Sequence, residues 1–451
     1  MMRSRRAVCA LALAGLGALG CKRAERLMGV DAGSAVAPVG PAEDETQVHF
    51  TFTGPTSVTF DWHGTGRALR IWSKTMPPRQ ILARDANPKP LSGPGPWKEA
   101  TVNDLQPGTE YGYEVGHPRF PVPAFFSTPP APGASSGFAF AALAGVGSSL
   151  DFSEAAPVHR LISLGDPAFV LGLGDLTFGD IRTQASVDRH FDDVMAWSRT
   201  AAYMPVWGEH EWSSRRDDLR NYKGRFALPH AQESPGAPKA GCCGEDWYWF
   251  DYGNVRFISY PEPYTDATWD DWAAKATPLF EQAENDPAIT FTITMGHHPA
   301  FSSAREGGDP RLRRLLNGFG TRFRKYVLDL SGHAGAYERT KPIAHVVHVV
   351  TGPAAGELDH ADTPCFWQDC TAPDFTARRA IHHAFLRVAV RPNAVKVDAF
   401  CGLTAPGRDD IHCAEGDIFD TVTIEAPPTP RAGPPTALQG EPARRSRASD
   451  R

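Results

Sequence analysis

Phe169-Val170-Leu171-Gly172-Leu173-Gly174-Asp175 is a short apolar run that stops abruptly at Gly-Asp. A run this brief and this continuously apolar fits a strand covered on both faces, and the glycine gives it a tight exit. Three other runs end in the same way. Met204–Trp207 leads into Gly208-Glu209-His210-Glu211, Ile289–Met295 into Gly296-His297-His298-Pro299, and Val327–Leu330 into Ser331-Gly332-His333. In open α/β sheets ligands bind in the crevice at the carboxyl ends of the strands. Four strands therefore deliver carboxylates and imidazoles to one place, a donor set suited to a divalent metal. Each pair alone has a plainer reading. A Gly-Asp is commonly a turn or a helix cap, and a His-His pair commonly sits on the surface. Recurrence at four strand ends is what argues for a metal site.

Outward from these runs, residues 137–427 alternate apolar strands with helical spacing, the pattern of an α/β domain. Further strands are expected at Phe138–Leu143, Trp249–Tyr252, Val255–Tyr260, His345–Val350, Ala384–Val390, Ala394–Phe400 and Ile418–Ile424. Helices are expected over Ser186–Ala201 and Ala267–Glu284. Residues 46–129 read differently. Gln47–Phe52 and Ser57–Trp62 alternate β-branched and aromatic residues around Gly54-Pro55, and a Pro107-Gly108 turn precedes Tyr111-Gly112-Tyr113-Glu114-Val115. That segment resembles the fibronectin type III signature, which implies an N-terminal β-sandwich.

The chain has 451 residues, 41% of them hydrophobic, with a net charge of −6. That length exceeds a single core, and the charge offers no basic surplus for general nucleic-acid binding. Arg3, Arg5 and Arg6 precede an apolar run, Ala7–Leu19, that is too short to span a bilayer. It ends in Ala18-Leu19-Gly20-Cys21, so residues 1–21 are expected to be a signal peptide with a lipid-modified Cys21, with simple secretory cleavage as the alternative. The protein is thus expected to be exported, to the bacterial periplasm, to an outer membrane as a lipoprotein, or into the medium. Its only membrane contact would be a lipid anchor. Residues 22–45 read as a tether and 428–451 as a disordered, Arg-rich tail. Cysteines in an exported chain favour disulfides. Cys365/Cys370 and Cys401/Cys413 are the simplest local pairs, and Cys242 and Cys243 stay unassigned.

The four strand-end motifs, together with Gly332-His333-Ala334-Gly335-Ala336-Tyr337-Glu338-Arg339-Thr340, resemble those of metallophosphoesterases, specifically the purple acid phosphatases. Tyr222-Lys223-Gly224-Arg225-Phe226 and Trp247–Ile258 add to the resemblance, as does the fibronectin-like domain. It implies a four-layer α/β/β/α domain carrying two metals about 3.5 Å apart, with activated water attacking phosphorus. It also implies Asp175, Glu209, His297 and His333 as ligands of one metal. For the family's other metal the sequence has Gly145 in place of an Asp, Phe178 in place of the colour-giving Tyr, and Gly335 in place of a His. Glu209 stands where the family has Asn. The expected cofactor is one divalent ion (Zn, or Fe or Mn), with the second family site absent.

Two readings follow, and a third is weaker. In the first, the chain is a hydrolase of phosphate monoesters or related esters, with His210 as general acid or phosphate contact and His298 as a further substrate contact. In the second, it is an inactive surface protein that binds through the same fold. The third makes Ser148 or Ser149 a nucleophile, but no Gly-x-Ser-x-Gly elbow accompanies them. Tyr337-Glu338-Arg339 is expected to hold the His333 loop from below, Trp207 and Trp212 to be core or pocket wall, and His382-His383 to have no role at the site.

Overall fold

The computed structural model describes residues 45–115, 123–134, 136–147, 155–181, 183–213, 218–239 and 244–428. The expected signal peptide, Cys21, most of the tether, Ser148, Ser149, Cys242, Cys243 and nearly all of the tail lie outside them. No helix among the described residues is long and apolar enough to cross a membrane.

The first eight strands are Thr46–Gly54 (β1), Ser57–His63 (β2), Ala68–Trp72 (β3), Arg79–Leu82 (β4), Arg84–Asp85 (β5), Trp97–Val102 (β6), Glu110–Val115 (β7) and Ala124–Ser127 (β8). They form two antiparallel four-stranded sheets ordered β1-β2-β6-β5 and β4-β3-β7-β8. Alternation sends Phe50, Phe60, Tyr113 and Phe126 to the shared interior, with ring centroids 4.5–6.4 Å apart. Strand β1 also packs on the second region: Val48 O accepts from Ser198 Oγ at 2.7 Å, and the His49 ring meets Arg225 O at 2.7 Å.

The second region holds two sheets. Its strands begin with Phe138–Leu143 (β9), Phe169–Leu173 (β10), Ala202–Val206 (β11), Trp249–Tyr252 (β12), Val255–Ser259 (β13), Phe291–Met295 (β14) and Tyr326–Ser331 (β15). They continue with Tyr337–Thr340 (β16), Val347–Thr351 (β17), Thr376–Ala380 (β18), Ala384–Arg391 (β19), Ala394–Cys401 (β20) and Ile418–Glu425 (β21). One sheet runs β11-β10-β9-β19-β20-β21 and the other β12-β13-β14-β15-β17-β16-β18. They meet through Phe140 and Phe169 of one and Phe250 and Phe257 of the other, with edge-to-face contacts at 5.4–5.7 Å. Each such fully buried ring contributes about 1.5–3 kcal/mol. Helices cover the outside, giving the α/β/β/α layering.

Outer helices follow simple rules. Thr268–Asn285 buries Trp269, Trp272, Ala276, Phe280 and Ala283 at helical spacing. Pro310–Arg322 begins on Asp309, whose carboxylate accepts from the Arg311 and Leu312 amides at 2.7 and 2.9 Å.

Two expectations need correction. The helix expected over Ser186–Ala201 is two, Gln184–Asp193 and Met195–Ser198, parted by a turn at Val194. The tighter turn, closed by Trp197 N–H on Val194 O, brings the Trp197 indole to His159 Nδ1 at 3.1 Å inside the core. Helices Ala155–Leu164 and Pro310–Arg322, absent from the expected set, are present. Tyr337-Glu338-Arg339 forms strand β16, paired with β17 and β18. Its polar side chains are satisfied within the sheet layer, Glu338 on Ser303 and Thr376, Tyr337 and Arg339 on Asp420. The bonds Cys365–Cys370 and Cys401–Cys413 are both formed.

Candidate metal centre

Strands β10 and β11 of one sheet and β14 and β15 of the other end at the same rim, and each chain turns sharply on a glycine. Gly174 has φ of +80°, and a Cβ there would lie 2.4 Å from His297 Nδ1. A Cβ on Gly208 would lie 2.4 Å from an Asp175 oxygen and 2.9 Å from His297 Nε2. Bare backbone at these two positions is what lets ligands from different strands converge. Asp175 and His333 themselves take left-handed φ values of +54° and +66°, a strain that clusters at functional sites.

One donor atom from each of Asp175, Glu209, His297 and His333 lies within 4.8 Å of the others. His297 Nε2 is 3.1 Å from Asp175 Oδ2 and 2.9 Å from Glu209 Oε2, and His333 Nδ1 is 3.1 Å from Glu209 Oε1. The other nitrogen of His297 is 2.8 Å from Leu173 O. Only a protonated Nδ1 makes that a hydrogen bond, so Nε2 is left to face the carboxylates as a ligand would. Burial opposes charge on His297, but Asp175 and Glu209 overcome it and raise its affinity for a proton well above the usual value. Glu209 is also penalised by burial, yet His297 and His333 hold its carboxyl far below the ordinary range. The donor set fits a divalent ion of the zinc, iron or manganese type.

Sequence reasoning missed the groups that brace these ligands. Glu211 is fully buried, and its carboxylate accepts from the amides of Gly208 (2.8 Å), Asp175 (2.8 Å) and Leu176 (2.9 Å). Burial and then Asp175 push its carboxyl well up, against the pull of those amides. Half a signal was available: Glu211 stands three residues after Gly208, the position from which a carboxylate reaches back to the N-cap amide of the short helix Glu209–Trp212, although Gly208 has no side chain to return the bond. Asp180, also overlooked, is 3.0 Å from His210 Nδ1. Burial disfavours charge on His210, but the Asp180 hydrogen bond and the charge of Asp175 win and raise its pKa to about 9. His298 lies beside Glu262, at 3.4 Å. Trp207 is core, Trp212 donates to Glu262, and His382 and His383 lie outside the cluster.

No protein-family model matches the chain. Among curated proteins it is similar to phosphoenolpyruvate phosphatase of Allium cepa, 26% identical over 272 residues, 55% of this chain and 52% of that protein. It is similar also to purple acid phosphatase 1 of Ipomoea batatas, 23% identical over 289 residues, 59% and 56% of the two chains. The chain thus spans little more than half the length of the relatives it matches. Among solved structures, a purple acid phosphatase from yellow lupin (Lupinus luteus) seeds superposes with TM-score 0.64 at 17% identity, over 84% of this chain and 74% of that one. This is the fold of a purple acid phosphatase-like metallophosphoesterase. PhoD shares it at TM-score 0.57 and 13% identity, covering 87% of this chain and 95% of that one.

The three positions expected to lack a family ligand fall together. Gly145, Phe178 and Gly335 line one cleft of about 540 Å³ with Asp175, Glu209, His210 and His333. Phe178 lays its ring against His210, centroids 4.3 Å apart. A Cβ on Gly335 would sit 2.4 Å from Asp359 Oδ1 and 2.6 Å from its backbone nitrogen, so that space is already filled.

Proposed function

We propose that the protein is a metal-dependent phosphoester hydrolase that keeps a single one of the family's two ion positions, at Asp175, Glu209, His297 and His333. The observation that carries this is the convergence of those four donors at the strand ends, with the His297 tautomer set by Leu173. A divalent ion there supplies polarisation of a phosphoryl oxygen and activation of water. His210, lining the cleft and oriented by Asp180, holds a proton beside the place where a leaving group would depart. Two features support a single ion in the family's arrangement: the glycines and phenylalanine at the three altered positions, and the Asp359 backbone against Gly335. Residues 1–21 support export with a lipid on Cys21.

The competing reading, an inactive binding protein, draws on the same cleft. Four protein donors complete a tetrahedral shell, and Glu306, Glu357, Asp359 and Asp362 outnumber Arg305 and Arg408 along the walls. Metal-stripped protein assayed on p-nitrophenyl phosphate with Zn²⁺, Mn²⁺ or Fe²⁺ separates the two. Turnover is expected with at least one ion, reduced about 100-fold in H210A with metal content unchanged. Silence with all three ions would leave the binding reading standing.

Phe178 sets a second expectation. Among the described residues that line the cleft there is no tyrosine, so iron-loaded protein should be colourless. A visible tyrosinate-to-iron absorption band would show that some other tyrosine reaches the ion.

A further inference from the structure

Glu262 lies three residues beyond β13, in Pro261-Glu262-Pro263, and is 1% exposed. One carboxylate oxygen, Oε2, accepts from Trp212 Nε1 at 3.2 Å and lies 3.4 Å from His298 Nε2. The other, Oε1, is buried and has no hydrogen-bond partner among the described residues. A buried carboxylate oxygen left unpaired is unfavourable unless a charge or a donor meets it. Glu209 Oε2 reaches towards the same spot, 3.9 Å from His298 Nε2. One donor atom from each of Glu209, Glu262 and His298 lies within 4.8 Å of the other two.

We infer that Glu209, Glu262 and His298 form a second divalent-cation site that shares the Glu209 carboxylate with the first. This rests on the reading that Glu209 binds the first ion. The second site is not the half that the sequence has lost, because Glu262 and His298 do not line the cleft of Gly145, Phe178 and Gly335. Charge supports it. Asp175, Glu209 and Glu262 bring three negative charges, and one divalent ion balances only two. Coordination supports it as well. The first site offers four protein donors, whereas the second offers three and leaves room for water or a phosphoryl oxygen, as catalytic sites do. A carboxylate bridge holds paired ions about 3.5–4 Å apart, and glutamate at position 209 supplies a charge for that bridge that asparagine lacks. The tyrosine hydroxyl of Tyr260 donates to His298 O at 3.0 Å and fixes the turn that presents the imidazole.

The test is Mn²⁺ titration of the full chain, read by metal content and by electron paramagnetic resonance. The native protein should take up two equivalents with an exchange-coupled signal. E262Q and H298A should each keep one equivalent, lose the coupling, and bind a second at least 100-fold more weakly. The retained equivalent shows that each variant is folded. One equivalent in all three proteins would overturn the second site and leave the first standing. None in the native protein would overturn the first, and this site with it. Two equivalents persisting in both variants, or both ions lost from both, would also overturn the assignment.

Discussion

His297→Ala should weaken binding at the four-donor site about 1,000-fold or more and remove turnover with it. His297 is 1% exposed and is the donor that touches both carboxylates of the cluster. Its removal deletes one ligand of four and leaves Asp175 and Glu209 facing each other across a void. Outer partners of a ligand are commonly worth 10- to 100-fold in metal affinity, so a ligand held in its tautomer by a buried carbonyl exceeds that range. A 1,000-fold loss corresponds to about 4 kcal/mol. The same loss has a thermal readout. An ion present at 100 times its dissociation constant stabilises the folded state by about 2.7 kcal/mol, so Zn²⁺ should raise the melting temperature of the native protein by clearly more than that of H297A. Calorimetric titration decides the matter: affinity within ten-fold of native would mean that His297 is not a ligand. The pH dependence has a defined sign. Protonated His297 competes with the ion, and its folded affinity for protons is raised, so ion binding should strengthen as pH rises.

The four candidate donors were legible in the sequence because each leaves a local mark: an apolar strand, a glycine, then a polar residue. Asp175, Glu209, His297 and His333 are all of this kind, and the structure brings all four together. Groups that work across the chain leave no such mark. Glu262 sits between two prolines in a segment without periodicity, and nothing near it in sequence points to His298 or Trp212. Asp180 meets His210 only because the β10 and β11 exits fold over each other. Strand β16 was obscured by its own polarity. Glu338 and Arg339 do not read as strand interior, and they sit there, Glu338 buried and Arg339 half-buried, only because Thr376, Ser303 and Asp420 meet them. The helix Pro310–Arg322 carries Leu312, Leu316 and Phe319 at good spacing, but Gly318 and Gly320 interrupt it and lower its helix propensity.

Glu211→Ala should be the most damaging substitution that touches no ion. Three buried amides end on this one carboxylate, and they belong to both strand exits, Asp175 and Leu176 after β10 and Gly208 after β11. An unsatisfied buried amide costs about 1–3 kcal/mol, so losing the acceptor for three of them should cost at least about 3 kcal/mol even with some water entry. Asp175 adds to the effect. Its φ of +54° is a conformation that an aspartate holds only when its surroundings enforce it, and the Glu211 bond to its amide is one of the enforcing contacts. Released from that bond, Asp175 would turn its carboxylate out of line with His297, and ion affinity should fall about 10- to 100-fold, in the range of other outer partners. The two losses should track each other. Glu211→Gln keeps the shape and one good acceptor oxygen but sets an amide group against backbone N–H, so it should fall between native and Ala. Thermal unfolding with and without Zn²⁺, alongside ion titration of the three proteins, checks this. A variant with native melting temperature but weakened ion binding would make Glu211 a ligand-positioning group alone. Native values on both measures would show that other contacts set the Asp175 turn.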